Sequence, residues 1–244
     1  MQPTSKLIGV IPSRMGATRL PGKPLRAIAG VPMIERVYRG AVECPELERV
    51  VVATDSPEIA AFCQGQGIPV HMTSADHASG TDRVWQAVEE LGAEAAVNIQ
   101  GDEPMVRGAM ISALVAALFS SPEVQVASLY TPAEQEEVPL PSVCKVVMDG
   151  RRRALYFSRA AIPFPREGSP RYAKHLGYYA YSRQALASFH AWPPSELESV
   201  ERLEQLRFLD HGVAIQMAET PFNTIGIDTA EDLAQVELLF AANR

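Results

Sequence analysis

The chain has 244 residues, with 22 Lys and Arg against 29 Asp and Glu, a formal net charge of −7. At this length folding buries about 72% of the unfolded surface, so the core needs no covalent staples. The acidic balance excludes a basic nucleic-acid footprint, 47% apolar and 21% charged residues exclude disorder, and three far-apart cysteines exclude a disulfide framework or a zinc site.

Leu7-Ile8-Gly9-Val10-Ile11 is an apolar run closed by Pro12, the pattern of a buried parallel strand. From Met33 apolar residues fall at 33, 34, 37, 38, 41 and 42, one stripe of an amphipathic helix. Arg49 to Thr54 predicts a second strand, and Ser56-Pro57 opens a second helix with a capping serine and a first-turn proline. The cycle continues with a strand from Pro69 to Thr73, a helix from Thr81 to Leu91 and a strand from Ala95 to Gln100. A helix from Ala109 to Phe119 and a strand from Gln125 to Tyr130 follow. Strands alternating with helices predict βαβ units, an α/β fold with a mostly parallel sheet covered by helices on both faces.

Later the rhythm changes. Val143 to Met148 and Arg153 to Phe157 flank Asp149-Gly150 and predict an antiparallel hairpin. Pro163 to Pro170 is a loop, and Leu176 to Tyr181 a strand. Ser195-Glu196-Leu197-Glu198 is a capping box expected to open a helix running to Leu209. A strand from Val213 to Glu219 precedes a second one ending at Asp228. A last helix, capped by Thr229, has Leu233, Val236, Leu239 and Phe240 on one face. A single domain over residues 1–244 is expected, carrying an antiparallel insertion at about 131–182 for acceptor binding or dimerisation. No apolar run approaches the ~18 residues of a membrane-spanning helix, and the N-terminus lacks a signal-peptide pattern. The expectation is a cytoplasmic protein without membrane or nucleic-acid partners.

Parallel α/β sheets bind ligands beyond the carboxyl ends of their strands. The loop from Pro12 to Leu25 follows such an end and carries Arg14, Arg19 and Lys23 with two glycines and three prolines, a pattern suited to a polyphosphate. It is neither a P-loop, since Lys23 is followed by Pro24, nor a Gly-x-Gly-x-x-Gly fingerprint. Ser79-Gly80-Thr81-Asp82-Arg83 is a second loop, in which Ser79 or Thr81 also suits a helix cap. Gln100-Gly101-Asp102-Glu103-Pro104 places two carboxylates after a buried strand. Asp228 is by itself equally a helix-start acid favoured by the dipole; with Asp102 it makes an oxygen-ligand pair for a divalent metal.

These stretches resemble the 3-deoxy-manno-octulosonate cytidylyltransferase family over about residues 7 to 240. The likeness rests on Thr18-Arg19-Leu20-Pro21-Gly22-Lys23-Pro24-Leu25, the loops at 79–83 and 100–104, Tyr156-Phe157-Ser158-Arg159, His175-Leu176-Gly177-Tyr178-Tyr179-Ala180-Tyr181, Leu203-Glu204-Gln205-Leu206-Arg207 and Ile227-Asp228. The resemblance implies a Rossmann-like, nucleotide-diphospho-sugar transferase-like fold and transfer of CMP from CTP to the anomeric hydroxyl of 3-deoxy-D-manno-octulosonate (Kdo), for lipopolysaccharide biosynthesis. In that family Arg14, Arg19 and Lys23 would hold the triphosphate, with Ser79 and Arg83 in the nucleotide pocket. Asp102 and Asp228 would ligate Mg²⁺. Gln100, Arg159, His175, Tyr179, Glu204 and Gln205 would face the sugar, with Arg159 near its carboxylate. A homodimer is also implied. Ser13 replaces the family's usual alanine, and Leu140-Pro141-Ser142 its usual Asn-Pro-Asn. The alternatives are an enzyme for a related acidic sugar, an 8-amino Kdo analogue or a sialic acid, and a catalytically silent nucleotide-sugar binding protein.

Overall fold

The computed structural model describes residues 6–16, 20–77, 79–168 and 170–242. Two compact units emerge, one from Met1–Ser112 with Thr224–Arg244, the other from Ala113–Asn223. In the first, β1 (Leu7–Ser13) leads through a 3-10 turn (Lys23–Leu25) to a small hairpin, β2 (Ala27–Ile28) and β3 (Val31–Pro32). The hairpin escapes the sequence patterns because each strand is two residues long. Its turn has positive φ at both Ala29 (46°) and Gly30 (81°), the twist that tight hairpins require. There follow α1 (Met33–Ala41), β4 (Arg49–Thr54), α2 (Pro57–Gly65), β5 (Val70–Met72), α3 (Gly80–Leu91), β6 (Ala95–Asn98) and α4 (Gly108–Leu118), in which the division into units falls.

The strands of this unit pair in the order β6-β1-β4-β5, all parallel, with Val10 opposite both Val51 and Asn98. Successive side chains of a strand point to opposite faces. Leu7, Ile8, Val10 and Ile11 are all buried, so both faces of β1 are covered. Caps form where the sequence places them: Ser56 accepts from Ile59 N and Ser79 from Asp82 N.

The second unit holds β7 (Val126–Pro132), β8 (Lys145–Met148), β9 (Ala154–Ser158), β10 (Ala173–Ser182), α5 (Arg183–Ala191), α6 (Glu196–Glu201), α7 (Leu206–Asp210) and β11 (Ile215–Glu219). β11 joins β7 in parallel, β10 joins β7 antiparallel, and β8 pairs antiparallel with both β10 and β9. The expected hairpin and the antiparallel insertion are thus present.

One expectation fails here. The helix expected from Ser195 to Leu209 is two helices, because Arg202 turns left-handed (φ 55°). The Ser195–Glu198 capping box is intact. Glu198, however, also takes a bidentate, buried ion pair from Arg207, at 2.7 and 2.6 Å. Nine residues of straight helix would separate the pair by about 13.5 Å, so that bond exists only if the chain folds back.

The chain then returns to the first unit, ending in α8 (Ala230–Ala242). Residues 224–228 are not the strand expected before Asp228. Ile227 instead donates its N–H to Asp102 O (2.9 Å) and its carbonyl accepts from Lys23 Nζ (2.8 Å), so its backbone groups are engaged outside any ladder. Thr229 and Asp232 cap α8 reciprocally. Val236 packs with Leu20, Ile28, Met33 and Ile227, supported by Leu233 and Phe240. Leu239, expected on that face, is exposed.

Candidate active site

In the first unit, Gly101 follows β6 by running against the end of β1. A Cβ there would lie 2.9 Å from Pro12 O, so only glycine permits the approach. Asp102 is delivered beside Lys23, whose ammonium donates to Asp102 Oδ2 (2.8 Å), Ile227 O (2.8 Å) and Asp228 Oδ1 (3.2 Å). Those bonds use all three ammonium protons. Two carboxylates far apart in the chain are therefore held together by one cation. Asp228 arrives on an irregular segment, not on a strand, yet reaches the place expected of it.

Arg83 is buried at the start of α3. It donates to Thr73 Oγ1 and pairs with Asp55 Oδ1 at 3.1 Å. Burial draws its pKa below the ordinary arginine value and Arg14 adds to this, while Asp55 opposes it. Ser79 caps α3 and also donates to Asp82 Oδ2 (2.9 Å). Pro12, Ser13, Arg14, Lys23, Ser79, Arg83, Gln100, Asp102 and Asp228 all line one cleft of ≈330 Å³. Arg19 and Thr18 lie outside the described residues. Three cations facing two carboxylates in one cleft suit a polyanion accompanied by a hard cation. Among the described residues no group of three or more His, Cys, Asp or Glu side chains could hold a metal by itself. The candidate ligands are then the pair Asp102 and Asp228, both oxygen donors.

Gln100 belongs to that cleft, whereas the other residues expected to face the sugar lie in the second unit. Arg159 donates Nε to Glu201 O (2.8 Å), Nη1 to Pro141 O (2.9 Å) and Nη2 to Arg202 O (3.4 Å). His175 is buried, its ring edge-on to Phe157 (4.8 Å) and 5.5 Å from Tyr179. Its Nε2 lies 2.9 Å from Ser128 Oγ. Ser128 Oγ also lies 2.9 Å from Tyr178 O. Burial pushes the His175 pKa down to about 3 and the Tyr179 hydroxyl well up. Gln205 is buried with Nε2 4.0 Å from Cys144 Sγ, and Glu204 is exposed beside it.

Sequence reasoning missed Asp55 and Thr73, which hold Arg83, and Lys145 and Glu201, which hold Arg159. Asp55 carried the same signal as Asp102, an acid just past a strand's carboxyl end. Lys145 was visible as a charge inside the apolar run from Val143 to Met148.

The comparisons decide the family. A model described as cytidylyltransferase matches residues 8–215. A 3-deoxy-manno-octulosonate cytidylyltransferase from Acidobacterium capsulatum is 50% identical over 235 residues, covering 96% of each chain. This chain belongs to that family. A solved CMP:2-keto-3-deoxy-manno-octonic acid synthetase complexed with CTP matches with a TM-score of 0.95 and 41% identity, covering 98% of this chain and 100% of the other. A glucose-1-phosphate thymidylyltransferase from Bacillus anthracis, only 18% identical, shares the fold with a TM-score of 0.68. The cytidylyltransferase is thus a nucleotidyltransferase on the α/β fold that the strand and helix pattern predicted. Among the described residues no helix is long and apolar enough to cross a membrane.

Proposed function

We propose that this cytidylyltransferase transfers CMP from CTP to the anomeric hydroxyl of Kdo and releases pyrophosphate, serving lipopolysaccharide biosynthesis in the cytoplasm. The observation that carries the reading is full-length identity of one half to a relative named for 3-deoxy-manno-octulosonate. The cleft supplies its chemistry. The sugar hydroxyl forms a new bond to the α-phosphorus as the bond to the pyrophosphate oxygen breaks, and the hydroxyl proton is lost. Such transfer requires positioning and charge neutralisation, without a covalent protein intermediate.

Arg14 and Arg19 hold the triphosphate, joined by Lys23 once its ammonium exchanges Asp102 and Asp228 for phosphate oxygens, and Arg83, fixed by Asp55 and Thr73, shapes the nucleotide pocket. Asp102 and Asp228 fit a magnesium ion, which takes one or two carboxylates and completes its shell with water and phosphate oxygens. When bound there it offsets the negative charge of the phosphates. Gln100, Arg159, His175, Tyr179, Glu204 and Gln205 serve the sugar, Arg159 by gripping its carboxylate. With its pKa near 3, His175 acts as a neutral ring and carries no charge to the sugar. The chain assembles as a homodimer through the later third, where Leu155 and Phe164 are exposed apolar side chains.

The test is pyrophosphate release by purified protein with CTP, UTP or GTP and a panel of Kdo, its 8-amino analogue, a sialic acid and a neutral hexose. CTP with Kdo should be the best pair. Equal use of UTP, preference for the hexose, or no release with any pair would overturn the reading.

A further inference from the structure

The second unit contains a cation that sequence patterns read as part of a strand. Lys145 is fully buried at the start of β8, and its ammonium donates to Leu140 O (3.0 Å), Val143 O (2.6 Å) and Arg159 O (2.6 Å). All three protons go to main-chain carbonyls, and burial pulls its pKa below the ordinary lysine value. An apolar side chain of similar shape is often as good for stability as a buried charge, so stability alone does not call for a lysine here.

What the ammonium grips is specific. Two of its acceptors, Leu140 O and Val143 O, bracket the turn whose Pro141 carbonyl receives Arg159 Nη1. The third acceptor is the carbonyl of Arg159 itself. Lys145 therefore holds Arg159 from its backbone and, through the turn, from its guanidinium. Glu201 completes the mount: its carboxylate takes Ser158 Oγ (2.6 Å) and Arg159 N (3.0 Å), and its carbonyl takes Arg159 Nε. Nε, Nη1 and Nη2 of Arg159 all donate to carbonyls, not carboxylates, so these bonds orient the charge without neutralising it. The Leu140-Pro141-Ser142 turn contributes through its backbone, which tolerates a change of side chains.

We propose that Lys145 is a positioning residue for Arg159, so that recognition of the acidic acceptor depends on a lysine that never touches it. This rests on the acceptor role given to Arg159 above.

The experiment measures KM for each substrate in Lys145→Met, Arg159→Lys and the double variant, by pyrophosphate release with CTP and Kdo. Lys145→Met should raise the KM for Kdo about tenfold or more and leave the KM for CTP within about twofold. Arg159→Lys should do the same, and the double variant should be little worse than either single one, because residues acting through one contact are not additive. If Lys145→Met does not fold, Lys145→Arg serves instead: it keeps the charge, but its planar fork cannot reach three carbonyls in the same directions. Parallel rises in both KM values, additive effects with Arg159→Lys, or an unchanged KM for Kdo would overturn the assignment of Lys145. Absence of turnover with Kdo in the unmodified enzyme would instead overturn the function on which it rests.

Discussion

His175 makes the second unit acid-sensitive in a calculable way. Its pKa is about 3 in the fold because the ring is buried, against 6.5 for the ordinary group. As pH falls below about 6.5 the unfolded chain takes a proton that the folded chain refuses, and the difference persists down to about pH 3. Stability is lost on acidification throughout that window, by ~1.4 kcal/mol per pH unit. Between about pH 7 and pH 5 the loss attributable to this one ring is about 2 kcal/mol. His175→Gln keeps an amide N–H to offer Ser128 and cannot titrate. It should be less stable than the parent at neutral pH, through lost ring packing on Phe157 and Tyr179. That gap should close by about 2 kcal/mol at pH 5. Urea unfolding of both proteins at the two pH values, followed by circular dichroism, measures it, and other titrating groups cancel in the comparison. A gap of the same size at both pH values would mean that the ring takes its proton in the folded state, and the burial argument would be wrong.

Three further outcomes follow from the geometry. Asp102→Asn and Asp228→Asn should each lower kcat by about 10²-fold or more with little change in CTP binding, and the double variant should be scarcely worse; a nearly active Asp228→Asn at saturating Mg²⁺ would return that residue to the role of a helix-start acid. Burial pushes Cys44 and Cys63 up to about 11 and Cys144 up to about 12, so iodoacetamide at pH 8 should modify each about 10²-fold more slowly in the native protein than after unfolding. Mapping the labelled peptides checks this, and rapid native labelling of any one would contradict its burial. In Gly40→Ala the new Cβ would meet Val106 O at 2.2 Å, which should cost about 3 kcal/mol or more; calorimetry should show a Tm lowered by roughly 6–12 °C, and a loss under about 2 °C would mean that the 106 loop yields freely.

The alternating half of the fold was legible because each element carries its own periodicity and punctuation. The run from Leu7, the Ser56-Pro57 cap and the Asp149-Gly150 turn are local signals, and each element they announce is present. What escaped was decided at a distance. Arg202 breaks a helix because Arg207 must reach Glu198, and residues 224–228 forgo a ladder because Ile227 is bonded to Asp102 and Lys23. The candidate cleft was visible as charged loops at strand ends, and Arg14, Lys23, Arg83, Asp102 and Asp228 do converge there. That Lys23 would bind both acids was not visible, since nothing in a linear spacing of 79 and 205 residues specifies a shared partner. Lys145 was visible as a charge inside an apolar run, but its role was not, because such a charge has no local meaning until its three carbonyls are known.

The clasp made by Lys23 also imposes an order in time. A ribosome delivers residues 1–112 early, and with them Lys23 and Asp102, but residue 228 emerges only after all of Ala113–Asn223 has been made. The intervening unit has its own strands and buried core. Until then the early carboxylate faces the lysine without its distant counterpart. A nascent chain stalled short of residue 228 would thus carry Lys23 and Asp102 and still lack Asp228, so the clasp closes only in a molecule whose last segment has been made.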